Sequence, residues 1–278
     1  TTVYGSTCTV SADGAASVAV AASTFTDATG NDNSVSNTYS WTQDDTGPTM
    51  TITSATVDSG SSTNTGAVVL VYTSNEATTD FVTGDITVTE CVHSGFSTSS
   101  TTVYGSTCTE DSNGVTPTVL VAASAFNDAT GNDNTVSNTY TWTYDTTKPT
   151  MTITSTAGDS DGDTSAVAAY ALTYTSSEAT SNFVVGDITG TSCTVGGFGT
   201  TSTTVYTSTC TAADGASAHV IVAADTFTDE ASNDNTVSNQ FDWTYDGTGP
   251  TMTITSNTIA SGGSTATDPV VLIYTSNE

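Results

Sequence analysis

Cationic side chains are nearly absent from this chain: Lys148 stands alone against 29 Asp and Glu, and the net charge is −28. Such a chain repels phosphate, so nucleic acid and anionic membrane surfaces are poor partners and neither is expected. No apolar run approaches the roughly 18 residues that span a bilayer, so no membrane insertion is expected. No basic, apolar leader is seen either, and a targeting signal is expected outside the sequence. N-x-Ser/Thr acceptors are missing despite the many Asn residues. There is no Ser/His/Asp spacing worth naming, no His/Cys metal cluster and no glycine-rich phosphate loop. No enzyme is expected.

What is present is polar but only lightly charged, with 102 Ser and Thr, 35% hydrophobic and 11% charged residues. That Ser/Thr share is typical of secreted, often O-glycosylated stalks, and O-linked sugar is expected on outward hydroxyls. Carboxylates without counter-cations leave three explanations: a solvated acidic surface, a high-salt habitat, or bound divalent cations. Five cysteines point to an oxidising compartment, extracellular or at the cell surface.

The chain repeats. "TTVYGSTCT" occurs at Thr1–Thr9 and Thr101–Thr109, and "TTVYTSTCT" at Thr203–Thr211. Trp41, Trp142 and Trp243 are 101 apart, and "PTMTITS" follows Gly47, Lys148 and Gly249 at the same step. A period of about 101 residues suits a whole small domain. Residues 47–147 and 148–248 read as complete repeats, 1–46 as the C-terminal part of one and 249–278 as the N-terminal part of another. About 24 residues, the equivalents of Ala77 to Ser100, would complete a third. The chain reads as a window from a longer array; the alternative is subunits that complete each other's broken repeats end to end.

Each repeat reads as about seven strands with no convincing helix. In "PTMTITS" Met50 and Ile52 share one face and Thr49, Thr51 and Thr53 the other; Tyr140, Trp142 and Tyr144 also share a face. "AVVLVYTS" (Ala67–Ser74) reads as a buried apolar strand. "DITVTEC", "TTVYGSTCT", "PTVLVAA" and a short strand near Phe81 supply the rest, with Gly, Asn and Asp clusters between them. The expected fold is all-β: tandem immunoglobulin-like β-sandwiches arranged as an extended rod.

"DITVT", "FTDATGNDN" and "DDTGPTMTITS" together resemble the bacterial-type Ig-like tandem repeats of large surface adhesins and secreted fibrous proteins. The resemblance covers the whole chain. It implies rod-like spacers, some stiffened by calcium near domain junctions. The cysteine pair departs from most bacterial members.

Cys91 and Cys108 are 17 apart, as are Cys193 and Cys210, and the repeated step predicts two structural disulfides. Cys8 matches Cys108, so its partner falls outside the segment. "DATGNDN" at Asp27–Asn33 and Asp128–Asn134, with "DEASNDN" at Asp229–Asn235, carries oxygens that calcium prefers. Asp44, Asp45, Glu76, Asp85, Asp128, Asp133 and Asp145 are the candidate ligands. The plainer reading is a turn in which Asx side chains bond their own backbone and Gly supplies positive φ. The tryptophans read as core, although an exposed face could stack sugars. His93 and His219 occupy non-equivalent repeat positions and read as surface residues.

The leading function is therefore a structural segment of a long extracellular fibre or stalk, such as a flagellar hair or cable, contacting copies of itself or other fibre proteins. Pro48, Pro149 and Pro250 would stiffen the linkers. The alternative is an adhesin whose repeats bind glycans or a host surface, which needs an exposed aromatic and polar cluster on each repeat. An accessory module of a carbohydrate-active enzyme is a third class.

Overall fold

The structure, a computed structural model, describes residues 1–78, 80–156, 160–266 and 268–278. The chain divides into two compact units, Thr1–Thr146 and Thr147–Glu278. In the first, strands β1 (Gly14–Val18) and β2 (Tyr39–Gln43) form an antiparallel pair. Nine further strands follow: β3 (Met50–Ser54), β4 (Ser62–Thr63), β5 (Ala67–Ser74), β6 (Ile86–Thr89), β7 (Val92–Thr98), β8 (Val103–Thr109), β9 (Thr118–Val121), β10 (Tyr140–Thr141) and β11 (Thr143–Tyr144).

One antiparallel sheet has the order β3-β5-β8-β7 and another the order β10-β9-β6. β11 continues β10 past Trp142 and pairs in parallel with β4, which extends the second sheet. Alternation along each strand decides what lies between the layers. Met50 and Ile52 are buried while Thr51 and Thr53 face water. Trp142 is fully enclosed at 0% exposure, so the tryptophan is core. Each fully buried Val, Leu, Ile or Phe side chain contributes about 1.5–3 kcal/mol relative to exposure.

Three expectations need correction. Ala67–Ser74 is buried on one face only: Val68, Leu70 and Tyr72 point inward, while Val69, on the sheet's outer face, is 49% exposed. Phe81 lies on no strand. It precedes a 3-10 turn, Thr83–Asp85, closed by the Val82 N–H donating to Asp85 Oδ2 at 2.7 Å. Its ring packs 4.9–5.9 Å from those of Tyr72, Phe96, Tyr104 and Phe126. A lone aromatic in a polar stretch carries no period that separates a loop plug from a strand. Finally, the edge strand β7 was not anticipated, since Ser and Gly have poor strand propensity. Its pairing with β8 shifts between Ser94 and Ser97, where Gly95 adopts φ +63°, a β-bulge that suits a sheet edge.

Cys91, just before β7, bonds Cys108 on β8 with the Cα atoms 5.6 Å apart. The second unit repeats the plan. Met151–Ser155, Ala169–Ser176, Val205–Ala212 and Cys193–Thr200 form one sheet; Asp163–Ser165, Phe241–Tyr245, Ser217–Val222 and Ile188–Thr191 form the other. Cys193 bonds Cys210, again at 5.6 Å. Trp243 is 1% exposed. A separate hairpin, Met252–Ser256 with Leu272–Ser276, follows. Cys8 is exposed and unpaired. Neither histidine is a plain surface residue. His93 is half-buried, its Nδ1 3.3 Å from Thr83 Oγ1, and burial pushes its pKa down. His219, half-buried, lies opposite Asp242.

Candidate functional site at the linker

The loop 128–134 is organised by its own side chains. Asp128 Oδ1 accepts the N–H groups of Thr130, Gly131 and Asn132 at 2.7–2.9 Å and the Thr130 hydroxyl at 2.9 Å. Its Oδ2 accepts Asn132 Nδ2 at 2.9 Å. Partial desolvation would raise the Asp128 pKa, but the bonds from Asn132 and Thr130 outweigh it and hold the carboxyl well below the usual range. Asp27 repeats the motif with Asn31 and Thr29, and the Asn31 side chain leads in lowering it. The loop closes on Asn134, which is 2% exposed. Its Oδ1 accepts the Ala125 and Phe126 N–H groups, and its Nδ2 donates to the Ala122 and Thr135 carbonyls. The Asx-turn reading therefore describes this loop.

The linker packs on that loop. Asn132 Nδ2 donates to the Asp44 carbonyl at 3.0 Å, and the Thr135 N–H donates to the Pro48 carbonyl at 2.9 Å. A Cβ at Gly47 would fall 2.0 Å from the Asp133 carbonyl oxygen, so this approach requires glycine there. This docking brings together Asp44 from the linker, Glu76 from the turn after β5 and Asp128 from the loop. One carboxylate oxygen from each lies within 4.8 Å of the others, and all three residues are half-buried. Three carboxylates this close repel one another unless a cation or protons intervene. An all-oxygen donor set suits calcium or magnesium better than a transition metal.

The other four candidate ligands lie outside this group. The Asp45 N–H donates to Asp13 Oδ1, and the Asp45 side chain accepts Gln43 Nε2. Asp85 closes the 3-10 turn, Asp133 Oδ1 accepts Asn127 Nδ2 at 2.6 Å, and the Asp145 N–H donates to the Thr63 carbonyl. In the second unit Glu178 and Asp229, the counterparts of Glu76 and Asp128, again have carboxylate oxygens within 4.8 Å.

Two features escaped the sequence reading. The first is a clasp on each linker from an x-Gly turn. Asp13 Oδ1 accepts the Asp45 N–H at 2.7 Å and Oδ2 accepts the Thr46 hydroxyl. Asp214 accepts the Gly247 N–H at 2.6 Å and the Thr248 hydroxyl at 3.0 Å. The Thr46 hydroxyl bond leads in lowering the Asp13 carboxyl, and the Gly247 N–H bond leads for Asp214. The repeated spacing of Asp13-Gly14, Asn113-Gly114 and Asp214-Gly215 was the available signal. The second is Glu110, 6% exposed, whose Oε1 accepts the Trp142 indole N–H while Oε2 has no partner. Burial pushes this carboxyl up, and its bonds only partly offset that. The second unit has Ala212 at this position and stacks Tyr170 on Trp243 at 4.9 Å instead.

No aromatic ring of residues 47–147 or 148–248 is exposed among the described residues. Exposed Tyr4, Phe25 and Tyr39 lie within residues 1–46, and their counterparts Tyr104, Phe126 and Tyr140 are buried.

Residues 145–245 match the bacterial Ig-like domain family, so this stretch is an Ig-like domain of that kind. No curated protein matches the chain. Among solved structures, the Escherichia coli adhesin FdeC aligns at 12% identity over 76% of this chain and 67% of its own, with TM-score 0.40. Yersinia pseudotuberculosis InvD aligns at 15% identity over 75% and 62%, with TM-score 0.37. The Yersinia pseudotuberculosis adhesin InvE aligns at 15% over 71% and 58%, with TM-score 0.27. This chain thus spans less than two thirds of the length of the two Yersinia chains.

Proposed function

We propose that this chain is a structural segment of an extracellular, surface-attached fibre or stalk, in which Ig-like repeats act as spacers. One observation carries the reading. Residues 47–147 and 148–248 bury a shared set of aromatic positions, to which the second adds Tyr170, carry the same disulfide, and among the described residues present no exposed ring on which a sugar could stack. A direct binder needs a repeated outward cluster, because aromatic anchors supply most of the affinity of such surfaces. A spacer needs only a stable core and an anchored linker. Outward rows such as Thr51, Thr53 and Thr73 are available for O-linked sugar, and calcium at Asp44, Glu76 and Asp128 would brace the linker when bound.

The test compares this chain with one carrying an additional copy of residues 47–147. Small-angle scattering should show the maximum dimension growing by one domain length, and neither chain should bind a panel of soluble polysaccharides. A dimension that fails to grow refutes the spacer. Saturable polysaccharide binding that doubles with the added repeat supports the glycan-binding adhesin instead.

A further inference from the structure

The three turns that clasp the linkers differ by one functional group. Asp13 and Asp214 use both carboxylate oxygens, one for a linker N–H and one for a linker threonine hydroxyl. Asn113 occupies the same turn in the middle copy, and its Oδ1 accepts the Thr146 N–H at 2.6 Å. Where its sisters offer a second acceptor, it offers an NH2 donor. Asn113-Gly114 is the single Asn-Gly pair in the sequence, and both residues are exposed. Gly114 adopts φ +79°, and Gly215 in the sister turn +73°.

We propose that Asn113 is a site of non-enzymatic deamidation, which converts it to the aspartate carried by the other two turns. The backbone nitrogen of Gly114 loses its proton to water and attacks Asn113 Cγ. The new N–Cγ bond closes a succinimide, the Cγ–Nδ2 bond breaks, and ammonia leaves. Water then adds at Cγ, the N–Cγ bond breaks, and the nitrogen regains a proton. The sum is one water consumed and one ammonia released, with no change of oxidation state. Glycine permits the step because no Cβ hinders the attacking nitrogen.

In the closed turn the Gly114 N–H donates to the Tyr144 carbonyl at 2.8 Å, so attack occurs when the turn opens. Exposed turns lie at the low end of local opening free energies. The same bond bears on the product. Water adding at the main-chain carbonyl instead would give isoaspartate, whose longer backbone displaces Gly114 N–H from Tyr144 and Tyr144 N–H from Val115, now bonded at 2.8 and 3.0 Å. Addition at Cγ returns the proton to the Gly114 nitrogen and restores the original backbone, so both bonds re-form, and it supplies the second acceptor that the sister clasps use. The linker anchor of the middle repeat thus matures with age.

The experiment ages the folded chain at mildly alkaline pH and maps peptides by a fragmentation method that separates aspartate from isoaspartate. Position 113 should convert before every other asparagine, mainly to aspartate, and Asn113→Gln should stay unconverted. A ready-made N113D chain should keep or increase amide-exchange protection at Thr146. An Asn113 that persists while other asparagines convert overturns the proposal. So does isoaspartate as the main product, or lower protection at Thr146 in N113D.

Discussion

Asn134→Ala removes the side chain around which the loop 128–134 closes. The amide holds two N–H groups and two carbonyls at 2.7–2.9 Å from a site 2% exposed to solvent. Orphaning one buried group costs about 1–3 kcal/mol. The Phe126 N–H is buried and would bear that cost, whereas the half-buried Ala125 and the exposed Ala122 and Thr135 recover part of theirs from water. The expected loss is about 2–4 kcal/mol, a large share of the roughly 5–15 kcal/mol that holds a domain together. Amide hydrogen exchange reads this within one molecule. Protection of β9, which the Ser137–Val121 bonds tie to this loop, should fall about thirty- to seven-hundredfold, taking 1.4 kcal/mol per tenfold. Ser217–Val222 in the second unit should be unchanged and serves as the reference. The mirror variant Asn235→Ala, at a residue 0% exposed with the same four bonds, should move only the second unit. A change in β9 below about fivefold would refute the reasoning, because it would mean that water replaces the amide at almost no cost.

The Glu110 carboxyl is raised by burial, so its contribution to stability is fully present in acid and is lost as pH rises through the folded value. Glu110→Gln should flatten that fall, on the order of 1 kcal/mol, in chemical denaturation of the first unit at several pH values; an unaltered pH profile counts against it. Reducing Cys91–Cys108, which spans 17 residues, should cost about 3 kcal/mol by loop entropy and lower the melting temperature. A non-reducing peptide map showing a bond between the two repeats would end the pairing. If calcium binds at Asp44, Glu76 and Asp128, a concentration about a hundred times Kd should add about 2.7 kcal/mol, read as a melting shift that chelator and Asp44→Asn remove. Equal melting with calcium and with chelator leaves the linker held by its hydrogen bonds alone.

What the sequence by itself determined is the part written at short range or by repetition. The side-chain period of two placed Met50, Ile52 and Trp142 inside, because successive side chains on a strand point to opposite faces. The repeated 17-residue step paired the cysteines, since Cys91, just before the edge strand β7, meets Cys108 on the neighbouring β8. The Asx turn at Asp128 was legible for the same reason: its partners are two to four residues away. Tertiary structure alone decided matters that depend on partners far apart in the chain. Seven carboxylates were candidates for a cation, and only the docking of the linker on the loop, across contacts 86 and 88 residues long, selected Asp44, Glu76 and Asp128. Glu110 gave no local sign of meeting Trp142, 32 residues on, and Phe81 gave none of filling the core from a loop. Such contacts form only when two sheets close over a shared interior. There the cost of burying a polar group depends on which atoms the fold brings opposite it.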